Sequence, residues 1–189
     1  MSYDLYLLQR VPGEDPLETA AAQLDSESEE INPGPLDPAA EARKEMLSRA
    51  LMNANSSLER FQFGYAEIAA SGGISEEEAR IRYRHVELNG PEDGNGIQIS
   101  LHDDHASITI PFWHQPPAAN QAFDEIWRYL RVLQETGGFF IYDPQLDCVI
   151  DLDTDREAVI NEYSGVVAKI PQMIERAESQ TQRPWWKLW

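Results

Sequence analysis

The chain has a single cysteine, Cys148, in 189 residues. No disulfide can form within it, which excludes a disulfide-stapled fold and fits a reducing compartment. Basic residues are few: 15 Lys and Arg stand against 33 Asp and Glu, a formal net charge of −18. Affinity for phosphate comes largely from Lys and Arg, so this balance argues against nucleic acid and anionic membranes as partners. No apolar run approaches the roughly 20 residues needed to span a bilayer. The opening MSYDLYLLQR lacks the basic flank and long apolar core of a secretory signal, and the expected location is the cytoplasm. Motifs for chemistry are missing too. There is no Gly-x-Ser-x-Gly, no glycine-rich loop closed by lysine and no His-Glu-x-x-His. Cys148 lies in the apolar run CVIDL and reads as a small core residue rather than a nucleophile. No cofactor is called for.

What is present is ordinary globular material, 42% hydrophobic and 25% charged residues, in a chain long enough for one domain with a substantial core. The acidity has two readings. It keeps a protein soluble, and it also suits a basic partner.

The organising stretch is Gly96 to His114, GIQISLHDDHASITIPFWH. Ile97, Ile99 and Leu101 alternate with Gln98 and Ser100, and Ile108 and Ile110 alternate with Ser107 and Thr109. Such alternation marks a β-hairpin with one face on a core. Two strands cannot bury that face alone. The best cover is Ala119 to Glu135, where Ala119, Ala122, Phe123, Ile126, Leu130 and Leu133 form one stripe at helical spacing, closed by Gly137-Gly138.

The rest of the chain supplies more strands and helices. Tyr3 to Gln9 reads as an inner strand. Asp15-Pro16 and Asp37-Pro38 each place a capping residue before a proline at the first helical position. The first helix would run from Pro16 to Leu24 and bury Leu17, Ala20, Ala21 and Leu24. The second would end near Asn53 to Asn55 and bury Ala39, Ala42, Met46, Ala50 and Leu51. Between them lies an acidic loop over 25–36 that ends in Asn-Pro-Gly-Pro. Leu58 to Gly73 is open to either strand or helix. Ser75 with Glu78 is a capping box for a short helix, followed by a strand near Tyr83 to Leu88. Phe139 to Tyr142 and Cys148 to Leu152 form a second hairpin. A last helix starts near Asp155 and should kink or split at Pro171. The expected fold is α+β: one domain, an antiparallel sheet of about five or six strands, covered by helices.

Three clusters invite a functional reading. Asp151, Asp153 and Asp155, with Glu162 beyond, match part of a calcium loop. The position that needs glycine is Arg156, and a strand end followed by helix capping explains the same residues. His102 and His105 flank the hairpin turn, but a metal site needs further ligands on rigid elements, so they read as solvated turn residues and no metal is expected. Trp185, Trp186 and Trp189 either fold back onto an apolar groove or form an aromatic anchor for a partner. If the acidity serves a basic partner, the best candidates are Asp103 and Asp104 at the hairpin tip, with Glu92 and Asp93 at the neighbouring turn, because loops on a rigid sheet tend to carry binding residues.

The opening MSYDLYLL and the phrases Tyr142-Asp-Pro-Gln and Ile108-Thr-Ile-Pro-Phe-Trp resemble those of small acidic bacterial proteins, some of which are similar to immunity proteins of polymorphic toxin systems. The resemblance covers about ten residues and two short strand phrases and transfers no functional residue. It implies a cytosolic protein that binds a partner and performs no chemistry. The readings from other classes are a hydrolase with convergent carboxylates and a structural or oligomerisation module.

Overall fold

The computed structural model describes residues 2–27, 35–91 and 94–181. Among these residues, seven strands form one antiparallel sheet: β1 (Ser2–Gln9), β2 (Glu59–Arg60), β3 (Val86–Asn89), β4 (Gln98–Leu101), β5 (Ala106–Pro111), β6 (Phe139–Asp143) and β7 (Cys148–Ile150). Their order across the sheet is β2-β3-β4-β5-β1-β6-β7. The architecture is the expected α+β one, with slightly more strands than the alternation alone suggests. The extra strand is β2, two residues long and without buried side chains, so it leaves no periodic trace. Short connections make β3-β4-β5 a meander, as expected. β1 is an inner strand, held between β5 and β6.

The helices among the described residues are α1 (Pro16–Glu27), α2 (Pro38–Ala54), α3 (Tyr65–Gly72), α4 (Glu76–Arg82), α5 (Ala118–Gly137) and α6 (Arg156–Thr181). The main core fills one side of the sheet. Ile97, Ile99, Leu101, Ile108 and Ile110 meet Phe123, Ile126 and Leu130 there. The α5 stripe is therefore the one its spacing predicts. A smaller cluster on the other side joins Leu8, Phe140 and Tyr142 to Ala20 of α1.

Two helix faces differ from expectation. On α1, Ala20 is buried but Leu17 is 43% exposed, because one small sheet cluster cannot cover a wider stripe. On α2 the buried residues are Ala40, Lys44, Leu47, Ser48 and Leu51, while Met46 points outward. The buried set keeps helical spacing but runs through a lysine, which hydropathy counts as polar. Leu58 to Gly73 resolves into both alternatives: strand at Glu59–Arg60 and helix from Tyr65. Ser75 caps α4 as its sequence demands, its Oγ accepting from Glu78 N at 3.0 Å. α6 continues through Pro171 rather than splitting there. Among the described residues, no helix is long and apolar enough to cross a membrane.

Candidate functional site

The hairpin tip is tied to the buried Lys44 of α2. Residues 102–105 connect β4 and β5, and His102 N donates to His105 O at 2.9 Å, which leaves Asp103 and Asp104 as the two residues at the very tip. Neither has a positive φ, and the loop therefore lacks the mirror-image turn that two-residue hairpins prefer. The tip is instead held by charge. Lys44 Nζ, only 1% exposed on its side chain, lies 2.8 Å from Asp103 Oδ1 and 2.7 Å from Glu41 Oε1. It also donates to the carbonyl of Arg84 at 3.0 Å. Arg84 grips the other oxygen of Asp103. Partial burial works to raise the Asp103 carboxyl, but the hydrogen bonds and charges of Lys44 and Arg84 outweigh it, and the group sits below the usual carboxylate range.

Alternation sends the neighbouring residues to the opposite face. Val86 pairs with Leu101 and Leu101 with Ala106 on the core side, which brings His85, His102 and His105 into one row across three strands on the other side. Their rings stack: His102 and His105 are 4.2 Å apart at 9°, and His85 and His102 are 4.9 Å apart at 18°. Phe63 continues the row, edge-on to His85 at 4.8 Å. Burial pushes His102 down to about 3, helped by His105 and His85 and opposed by Asp104. Burial also lowers His85, against the pull of Glu87. Both shifts disfavour the protonated forms of His85 and His102. The expectation that His102 and His105 are solvated turn residues is corrected: His102 is half-buried and the His105 side chain only 17% exposed, because flat rings in register cover one another. Parallel rings also keep their in-plane lone pairs from converging, and among the described residues no group of three His, Cys, Asp or Glu side chains is arranged to hold a metal ion.

The two tip aspartates therefore have different fates. Asp103 is bound to Lys44 and Arg84 inside the fold. Asp104 has its Oδ1 2.7 Å from His105 Nδ1 while its side chain stays 82% exposed, and the hydrogen bond with His105 holds its carboxyl below the usual range. Glu92, Asp93, Trp185, Trp186 and Trp189 lie outside the described residues.

Beside the stack is an exposed aromatic patch. Phe63 is its centre, with Phe61 at 5.0 Å, Tyr65 at 6.0 Å and Tyr83 at 6.1 Å. Phe61 is 47% exposed, Tyr83 39% and Ile81 42%. The alternation of Phe61, Phe63 and Tyr65 was a legible signal for it.

Other candidate groups have structural partners. Asp151 accepts from Asp153 N at 2.8 Å, Asp155 accepts from Asp151 N at 2.8 Å, and Asp153 pairs with Arg131 at 2.9 Å. These are bonds within one turn, with an ion pair from that turn to α5. Asp143 is fully buried and accepts from Tyr3 Oη at 2.5 Å and from the amide nitrogens of Gln145 and Leu146. Burial raises its carboxyl despite those bonds, and its place is the turn of the second hairpin. Burial also pushes the Cys148 thiol up, away from nucleophilic thiolate. A small cleft of about 210 Å³ lies among Arg10, Pro12, Glu14 and Thr19, below the roughly 300–1,000 Å³ of small-molecule sites.

Neither a family model, nor a curated protein, nor a solved structure matches this chain.

Proposed function

We propose that this is a protein-binding protein of the cytoplasm that takes a basic partner, in the manner of an immunity protein neutralising a toxin. The observation that carries the proposal is the division of labour at the hairpin tip. Lys44 and Arg84 anchor the turn through Asp103, and Asp104 is thereby presented at 82% exposure on a fixed mount. A rigidly held carboxylate on a chain of net charge −18 speeds the approach of a cationic surface and loses little side-chain entropy on contact. The unpaired Cys148 suits a reducing compartment.

The test starts with a pull-down from the source cell and continues with association rates against salt. Asp104→Lys should slow association with the captured partner and weaken its salt dependence, since screening acts over about 8–10 Å. An unchanged rate at both low and high salt would remove the tip from the interface.

One observation favours a second reading. Asp104 beside His105 Nδ1 at 2.7 Å is the orienting half of a general-base pair, as a hydrolase would use. A screen with ester and phosphoester substrates separates the two readings, because hydrolysis abolished by His105→Ala belongs only to the second.

A further inference from the structure

We propose that the aromatic patch of Phe61, Phe63, Tyr65 and Tyr83 is the docking surface for an arginine-bearing segment of the basic partner. The inference rests on the proposed function for the partner's charge and adds where and how that charge is read. Three observations carry it. Phe61 and Tyr83 are exposed, with Phe63 and Tyr65 half-buried between them, next to the edge strand β2, where a partner has free approach. The patch already receives one guanidinium from its own chain: Arg80 Cζ lies 4.6 Å over the Tyr65 ring, a cation–π contact that leaves the Phe61 and Tyr83 rings open to another.

The third observation is charge. The cations around the patch are neutralised, Arg60 by Glu45, Arg80 by Glu76 and Arg82 by Glu78. Glu59, Glu67 and Glu77 are exposed and, among the described residues, have no ion-pair partner. Glu59 stands two residues from Phe61, Glu67 two from Tyr65, and Glu77 one helical turn from Ile81. The rim therefore carries surplus negative charge around flat apolar rings. Aromatic rings flanked by carboxylates suit a planar, weakly hydrated cation better than a compact, strongly hydrated ammonium. Tyrosine is also common in binding hot spots.

The experiment is a titration of the ¹⁵N-labelled full chain with a short poly-arginine peptide, and with poly-lysine of equal length, at low salt. The largest amide shifts should fall at Phe61, Phe63, Tyr65 and Tyr83, and poly-arginine should bind more tightly. Phe61→Ser with Tyr83→Ser should weaken poly-arginine about tenfold with little change in thermal midpoint, since both side chains are exposed. Should that variant fail to fold, Phe61→Leu with Tyr83→Leu removes the rings while keeping apolar bulk and is read in the same way. Wild-type affinity in the ring-less variant overturns the proposal. Shifts gathered at Asp104 instead also overturn it but leave the basic-partner reading standing. If poly-arginine does not bind at low salt, both fall.

Discussion

Lys44 and Asp103 form a part-buried ion pair that joins the middle of α2 to the tip of a hairpin 59 residues away in sequence. The pair sits at the boundary between the core and the charged rim, so its removal and the removal of the adjacent carboxylate have unequal consequences.

Asp103→Ala leaves the Lys44 ammonium in a 1% exposed site with Glu41 and the Arg84 carbonyl as its remaining partners. It should cost about 3 kcal/mol. Asp104→Ala, one residue on and mostly exposed, should change stability by less than about 1 kcal/mol. Urea unfolding midpoints of the two variants check the contrast, and equal midpoints would contradict the geometry of the clamp.

The histidine row sets a pH dependence. His102 titrates near 6.5 when unfolded and is pushed down to about 3 in the fold. As pH falls below about 6.5 the unfolded chain takes up a proton that the folded chain refuses, so stability falls through that window and levels off near pH 3. The slope is up to about 1.4 kcal/mol per pH unit, or up to about 2 kcal/mol lost by pH 5. Asp143, whose carboxyl is raised by burial, works in the opposite direction. Asp103 and Asp104 titrate below 3.8 and contribute nothing to the loss above pH 5. Unfolding free energies of wild type and His102→Gln at pH 7 and pH 5 isolate the effect: the variant should lose less stability on acidification.

Ile110 lies at 0% exposure opposite Tyr3 in the β1–β5 ladder. Ile110→Ala should cost roughly 2–4 kcal/mol through lost burial and a residual cavity. A denaturation midpoint equal to the wild type would place Ile110 outside the core.

The sheet core was legible because Ile97 to Ile110 alternate and because the α5 stripe is wide and uninterrupted. The Ser75–Glu78 capping box was legible because it depends only on neighbours in sequence. The face of α2 was not, since Lys44 is buried through partners at positions 84 and 103 that no local pattern announces. A signal was nonetheless available: Ala40, Lys44, Leu47 and Leu51 recur at helical spacing, with the lysine as the one exception to polarity. The histidine stack was half legible. Its members flank recognised turns and strands, but stacking needs the register of β3 against β4, which the turn-rich connection between them does not reveal. The different roles of Asp103 and Asp104 were invisible for the same reason, since two adjacent aspartates are identical until the fold assigns each a side of the hairpin.

The position of β1 between β5 and β6 also shapes how the molecule is made. Its Tyr3 hydroxyl is bonded to a carboxylate 140 residues later, and its hydrogen-bonding neighbours are Ala106–Pro111 and Phe139–Asp143. On the ribosome, this apolar segment is synthesised long before either neighbour. Until then the nascent chain must keep a strand-forming hydrophobic run unpaired, exposed to chaperones and to like segments of other chains. Closing loops of that length makes for a high contact order and slow folding, so yield in the cell should depend more on the protection of Tyr3 to Leu8 than on the stability of the finished sheet.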